Sequence, residues 1–262
     1  MKTRIITAVI ALLIFVPIVI TGGLWIDCLA ALLGLIALIE ILIMQKHLLI
    51  SPEAIIAYVA VLILIVPGSW FHALPAAFNA KFLFYLMVML LLLRTVTTRN
   101  LFSFDRAGVI TLATLYVGMG FHYFLDARID GIDTIFYALF LVWSTDTGAY
   151  LCGKGFGRHK LAPHISPHKT WEGAVGGSVL ALIVGTAWLS FFPINAYGHL
   201  TMLIITLFLS VVSQFGDLVE SAVKRHYGVK DSGKILPGHG GILDRFDSLL
   251  FVLPVLHLLG II

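Results

Sequence analysis

Long apolar runs that are almost free of charge constrain this chain more than any other feature. Residues 5–20 and 82–93 contain no Asp, Glu, Lys or Arg. A run of about 18 weakly charged residues is long enough to cross a bilayer. Charged residues make up only 12% of the 262 residues, roughly half the share found in soluble domains. Several such runs in one chain indicate a polytopic membrane protein rather than a large buried core.

The apolar segments predict an all-α fold with about nine transmembrane helices in a single integral-membrane domain. The third segment is short and ends at Pro67, so its extent is the least defined. The predicted spans are 5–21, 24–44, 54–67, 82–98, 107–125, 132–151, 173–192, 199–222 and 246–262.

Lys and Arg predict the orientation, because they concentrate on the cytoplasmic side of membrane proteins. Of the 17 such residues, all except Lys81 and Arg128 fall in the N-terminal segment or in the connections on the same side as it. The N-terminus is therefore expected in the cytoplasm, and nine spans place the C-terminus outside. This pattern is typical of a multi-pass membrane protein.

The two halves of the chain differ in composition. Residues 1–140 contain no motif with recognisable chemistry and are expected to act mainly as a membrane scaffold. Residues 141–262 contain two cytoplasmic segments, 152–172 and 223–245, which concentrate the glycine-rich, basic and acidic sequence. We expect residues 141–262 to be the catalytic half, with its active site facing the cytoplasm.

Four polar residues near the end of the eighth span share one helical face. Asp217, Glu220, Ser221 and Lys224 follow the spacing i, i+3, i+4 and i+7. Ionisable residues at membrane depth are costly and are candidates for a functional site. The alternative is a charge network that only solvates the end of the helix.

A glycine-rich stretch follows, and it ends in two further carboxylates. Residues 230–234 and 237–241 combine glycines with bases, and glycine allows backbone amides to approach an anion closely. Asp244 and Asp247 stand at i, i+3 on either side of Arg245 and are expected to share a face. Carboxylates beside bases suit Mg²⁺ that carries phosphates. Acids that only paired with the bases would form a structural network instead.

These residues form a recognisable pattern. It reads Ser221-Ala-Val-Lys-Arg225, then Lys230-Asp231-Ser-Gly233, then Leu236-Pro-Gly-His239-Gly-Gly241-Ile-Leu-Asp244-Arg245-Phe-Asp247. The pattern resembles the signature of the phosphatidate cytidylyltransferase (CDP-diacylglycerol synthase) family, bacterial type. Every defined position of that signature is filled.

A second block lies upstream. Asp146 stands inside the sixth span, where a lone buried acid bonded to a neighbouring serine is the alternative to a functional one. The glycines of residues 153–157 follow no strand, which argues against a Rossmann or P-loop site. The stretch Ser166-Pro-His-Lys-Thr-Trp-Glu-Gly173 resembles another conserved block of the same family.

The resemblance implies transfer of CMP from CTP to phosphatidate, which yields CDP-diacylglycerol and pyrophosphate with Mg²⁺ as cofactor. Asp217 and Asp244 are the leading metal ligands, with Asp146, Asp247 and Asp231 next. The expected catalytic groups are Asp217, Asp244, Ser221, Lys224, Arg225 and Arg245. The expected CTP-binding groups are Lys160, Ser166, Lys169, Lys230 and His239.

Two other functions stay open at this stage. A CTP-dependent kinase of a polyprenol-type lipid alcohol is the nearest enzyme, and it would release CDP. A secondary transporter would also place acids in the membrane, but transporters commonly contain matching repeats, whereas these polar residues lie in one half. Membrane lipids and a second copy of the chain in a homodimer are the expected partners, and no nucleic acid is expected.

Overall fold

The computed structural model describes residues 2–71, 75, 78–194 and 197–262, and side chains from residue 6 onward. Lys2 and Arg4 are among the basic residues that predict the orientation, and their side chains lie outside the described residues. The chain forms two compact units, of residues 1–125 with 231–243 and of residues 126–230 with 244–262. The division of roles between residues 1–140 and 141–262 stays a prediction.

The first unit is built from apolar helices joined by short connections. They are α1 (Lys2–Thr21), α2 (Leu24–Met44), α3 (Pro52–Ile65), α4 (Ala80–Thr97) and most of α5 (Phe104–Asp130), with a 3-10 turn at Gly68–Phe71. The helices α1 to α4 pack in chain order, each on the next. Ser51 caps α3 by accepting a hydrogen bond from the Ala54 amide, with Pro52 in the first turn,.

The second unit combines helices with a small hairpin. Its elements are α6 (Ile132–Phe156), β1 (Lys160–Ala162), β2 (Ser166–Thr170), α7 (Trp171–Phe191), α8 (His199–His226), the end of α9 (Leu243–Phe246) and α10 (Leu249–Leu258). The strands pair antiparallel, with Lys160 opposite Thr170 and Ala162 opposite Ser166. The sequence predicted no strand. The hairpin forms where the chain is too polar to continue as a span.

Close packing of α6 on α7 depends on glycine. A Cβ atom at Gly148 would lie 2.8 Å from the carbonyl oxygen of Gly176 and 2.9 Å from the Cα atom of Gly177. Small residues at such contacts let helix backbones approach one another in membranes. The packing fixes α6, and with it Asp146, against α7.

The predicted all-α polytopic fold is confirmed. In the described part of the chain, six helices are long and apolar enough to cross a membrane, namely α2, α4, α5, α6, α7 and α8. The first, third and ninth predicted spans correspond to shorter described apolar helices, Ile6–Thr21, Pro52–Ile65 and Leu249–Leu258.

The helix in the ninth predicted span, 246–262, is shorter than predicted. The chain turns after α9, and α10 has 10 residues, a length of about 15 Å. Gly260 follows the end of α10 with φ 66°, the left-handed conformation that terminates helices. In contrast, α6 and α8 extend four to five residues beyond their predicted ends, to Phe156 and His226.

Candidate active site

The polar stripe predicted on α8 is present, and it is held by contacts one helical turn apart. The Ser221 hydroxyl donates to Asp217 Oδ1 at 3.3 Å. Lys224 forms an ion pair with Glu220, whose side chain is fully buried. The sequence placed Glu220 on this face but did not assign it to the site.

Lys224 also joins α8 to α9. Its ammonium donates to Asp244 Oδ1 at 2.6 Å, and the Asp244 side chain is 5% exposed. One ammonium thus lies between two buried carboxylates, Glu220 and Asp244. Removing charges from water costs several kcal/mol per ion, so this group depends on all three members.

The hairpin brings a second lysine to α8. Lys169 on β2 pairs with Asp217 at 2.6 Å, and both side chains are partly exposed. Arg225 fixes the hairpin tip, because its Nε donates to the Ile165 carbonyl at 3.1 Å, while its Nη1 donates to the Val229 carbonyl at 3.1 Å. Both acceptors are backbone carbonyls. In this structure Arg225 therefore positions the hairpin.

Glu172 closes the loop before the hairpin and was missed by sequence reasoning. Its carboxylate accepts hydrogen bonds from the Arg158 and His159 amides at 3.1 and 3.2 Å, and it lies 2.6 Å from His159 Nδ1. Thr170 caps α7 by accepting from the Gly173 amide. The available signal was Thr170-Trp-Glu-Gly173, which is typical of a capped helix start.

Three aspartates form one acidic cluster. Asp247 interacts electrostatically with both Asp217 and Asp146, and Asp146 also interacts with Lys169 and Arg245. The Asp146 side chain is exposed, and charged groups at membrane depth rarely face lipid. Asp146 therefore faces the charged groups of the cluster.

Asp244 and Asp247, which were expected to share a face, both interact with Glu220. Asp244 contacts Lys224 at 2.6 Å. Asp247 follows the end of α9 and interacts with Asp217, Asp146 and Lys224. Gly216 permits this approach, because a Cβ atom there would lie 2.9 Å from the Asp247 carbonyl oxygen and from the Ser248 Cα atom.

A buried polar ladder ties the three helices together beneath the cluster. Thr145 donates to Ser210 at 3.2 Å, and Ser210 donates to Ser178 at 3.0 Å. Gln214 Nε2 donates to Ser178 Oγ at 3.1 Å. Hydrogen bonds between helices offset the cost of placing polar side chains in an apolar medium. The ladder fixes α6, α7 and α8 close to Asp146 and Asp217.

Four of the expected CTP-binding groups form no ion pair with the predicted acids in the described part of the chain. Lys160 is exposed and Ser166 half-buried on the hairpin strands, and Lys230 is exposed after α8. His239 lies in residues 231–243, which belong to the first unit. Among the described ion pairs, the member of the predicted CTP-binding set that contacts a predicted acid is Lys169, which pairs with Asp217.

The donor chemistry fits a hard cation. In the part of the chain that the structure describes, no three acidic, imidazole or thiol side chains form a ready metal site. Mg²⁺ does not require one, since it is commonly held by one or two carboxylates together with water and substrate phosphates. Asp217 and Asp146 offer partly accessible carboxylate oxygens.

The fold and the site define a polytopic helical membrane protein whose lysines and aspartates suit a phosphate-bearing substrate. The chain belongs to the cytidylyltransferase family, whose profile matches residues 2–262. It is 48% identical over 264 residues to a phosphatidate cytidylyltransferase of Bacillus subtilis (strain 168), covering 99% of this chain and 97% of that one. It is 49% identical to a protein of that name from Staphylococcus haemolyticus (strain JCSC1435), covering 99% and 98%.

Proposed function

We propose that this protein transfers CMP from CTP to phosphatidate, forming CDP-diacylglycerol and pyrophosphate. The observation that carries the proposal is the similarity to phosphatidate cytidylyltransferases along 99% of the chain. The chemistry of the candidate site agrees with it. Phosphatidate keeps its acyl chains in the bilayer and its phosphate at the surface, and the site combines membrane helices with paired lysines and aspartates.

The reaction requires stabilisation of the negative charge on the phosphates more than it requires proton transfer. A phosphatidate oxygen attacks the α-phosphorus of CTP, and the bond from that phosphorus to the β-phosphate oxygen breaks, so pyrophosphate leaves with the electron pair. Because the nucleophile is already anionic, no covalent enzyme intermediate is needed. Positioning and electrostatic stabilisation then supply most of the rate enhancement.

Lys169 and Lys224 are the cations best placed for this role. Lys169 pairs with Asp217, and Lys224 pairs with both Glu220 and Asp244. An ammonium has three donors, so each lysine keeps at least one for a phosphate. Arg245 interacts with Asp146 and adds positive charge at the same cluster. Arg225 supports the hairpin that carries Lys169.

Magnesium is the proposed cofactor, and Asp217 and Asp244 are its leading ligands, with Asp146 and Asp247 as further ones. When bound, Mg²⁺ neutralises charge on the CTP phosphates and on the departing pyrophosphate. Asp217 interacts with both Asp146 and Asp247 and also pairs with Lys169, which supports its place as a leading ligand.

A direct test uses purified protein in detergent with CTP, Mg²⁺ and a defined lipid. With phosphatidate, we expect pyrophosphate and CDP-diacylglycerol in equal amounts. With diacylglycerol or a polyprenol instead, we expect neither. Release of CDP together with a phosphorylated lipid alcohol would contradict the proposal and favour the lipid kinase.

We further propose that the protein resides in the bacterial inner membrane with its N-terminus and active site on the cytoplasmic side, where CTP is found. The expected homodimer stays a prediction. The orientation is supported by the side on which all Lys and Arg except Lys81 and Arg128 fall,. It can be tested with single cysteines at exposed positions.

After replacement of Cys28 and Cys152 by alanine, Arg158→Cys and Lys234→Cys should react with an impermeant thiol reagent only when the inner face is accessible. Lys81→Cys is the matched control and should react from outside intact cells. All three positions have exposed side chains. Labelling of residue 158 or 234 from outside would contradict the orientation.

A further inference from the structure

Glu40 is a buried carboxylate within an apolar helix, and the proposed reaction assigns it no role. It lies on α2, it is 1% exposed, and the next two residues, Ile41 and Leu42, are also buried. Burying a carboxylate is costly unless it is well hydrogen-bonded. Its partners therefore indicate what the residue does.

Three described hydrogen bonds stabilise this carboxylate, and they come from residues 231–243 of the same unit. The Ser232 hydroxyl donates at 2.9 Å, the Ile242 amide at 2.8 Å and the Leu243 amide at 2.9 Å. Bonds to an ionised acceptor are roughly twice as strong as neutral ones. Leu243 is also the first residue of α9, so Glu40 fixes the point where that turn begins.

Two glycines give the segment its close fit around the carboxylate. A Cβ atom at Gly233 would lie 2.6 Å from Glu40 Oε1, and one at Gly241 would overlap both carboxylate oxygens and the Ser232 hydroxyl. Glycine at these positions lets the backbone approach Glu40 directly. These glycines are therefore required by Glu40, whatever ligand the segment meets.

Two backbone amides just beyond the glycine-rich stretch are used within the protein. The sequence suggested that the glycines of residues 230–234 and 237–241 let backbone amides approach an anion closely. The amides that follow, of Ile242 and Leu243, bind an anion supplied by the protein itself. The same segment carries two basic side chains that suit a phosphate, Lys234 and His239.

We propose that Glu40 is a positioning residue for CTP. It holds residues 231–243 in one conformation, so that the basic side chains of this segment meet the CTP phosphates. Glu40 itself touches no substrate. The inference rests on the proposed cytidylyltransferase function, because that function makes CTP the ligand.

The variant Glu40→Gln keeps the shape of the side chain but removes its charge. One carboxylate oxygen is replaced by an NH₂ group, which cannot accept a hydrogen bond from the Ser232 hydroxyl or from the backbone amides. We expect the KM for CTP to rise and kcat/KM for CTP to fall by up to about a hundredfold, with the KM for phosphatidate unchanged. In the folded protein, trypsin should cleave faster after the exposed Lys234.

Glu53→Gln is the matched control. Glu53 is another buried carboxylate of this unit that is held by a specific partner, Arg94, at 2.8 Å, and it is 5% exposed. Losing this pair should lower the unfolding temperature in detergent. It should leave both the CTP dependence and the cleavage after Lys234 unchanged, because Glu53 has no described contact with residues 231–243.

Gly241→Ala disturbs the same contact from the other side and should reproduce the effects of Glu40→Gln. Since both changes break one interaction, the double variant should be no worse than the more severe single variant. Additive losses would contradict a shared mechanism.

The proposal is overturned if Glu40→Gln leaves the KM for CTP and the cleavage after Lys234 unchanged, or if Glu53→Gln changes both equally. It is also overturned if neither Glu40→Gln nor Gly241→Ala yields a monodisperse protein, because Glu40 would then support the whole fold. A wild-type protein that makes no CDP-diacylglycerol would instead refute the proposed function. In that case, faster trypsin cleavage after Lys234 in Glu40→Gln than in the wild type would still show that Glu40 orders residues 231–243.

Discussion

Asp217→Asn should lower turnover by about a hundredfold or more, equivalent to about 3 kcal/mol of lost transition-state stabilisation. Asp217 pairs with Lys169, accepts a hydrogen bond from Ser221, and interacts with Asp146 and Asp247. Asparagine keeps the shape but removes the charge. The Mg²⁺ concentration that gives half-maximal activity should therefore rise along with the loss of rate.

Asp130→Asn is the control for this variant. Asp130 ends α5 and accepts a hydrogen bond from the Thr134 hydroxyl at 2.6 Å, which asparagine can also accept. Its turnover and Mg²⁺ dependence should stay close to wild type. The measurement is turnover across a Mg²⁺ titration, with folding checked by detergent chromatography. A well-folded Asp217→Asn protein with near-normal turnover and an unchanged Mg²⁺ midpoint would remove Asp217 from the site.

Lys224→Met should be the most damaging single change, because it affects stability and turnover together. It leaves two buried carboxylates, Glu220 and Asp244, without the ammonium between them. Removing one partner of a buried ion pair typically costs about 3 to 5 kcal/mol. The proposed site also loses a cation for the phosphates. Thermal unfolding in detergent, together with turnover per folded molecule, separates the two effects.

The double variant Glu220→Gln/Lys224→Met isolates the role in the reaction. Removing the Glu220 charge should recover part of the lost stability, since one unpaired carboxylate is gone. Turnover should stay low, because the ammonium is still missing. Recovery of both stability and turnover would show that Lys224 is only a structural counter-ion.

Arg94→Met is the matched control for a broken ion pair outside the site. Arg94 on α4 pairs with Glu53 at 2.8 Å. Its loss should reduce stability, while turnover per folded molecule stays near wild type.

The features that the sequence predicted best depend on regular local spacing. The helical repeat alone placed Asp217, Ser221 and Lys224 on one face of α8, and the contacts at i, i+4 agree with it. Apolar run length likewise predicted the long helices, because a membrane span has a fixed minimum length.

The features that the sequence did not predict depend on chain breaks and distant contacts. The ninth predicted span is interrupted because the chain turns after Phe246, and no Pro or Gly marks that break. The partners of Glu40 lie 192 to 203 residues away, so no local pattern could reveal them. Glu172 became meaningful only once the hairpin had brought His159 beside it.

The most direct test of the proposed reaction follows the phosphorus atoms of CTP. The purified protein is given phosphatidate, Mg²⁺ and CTP labelled at either the α- or the γ-phosphate, and lipid and water-soluble products are separated. A cytidylyltransferase puts the α-label into the lipid as CDP-diacylglycerol and leaves the γ-label in soluble pyrophosphate. That is the expected result. The account is contradicted if the γ-label enters the lipid while the α-label stays in soluble CDP, or if neither label becomes lipid-bound.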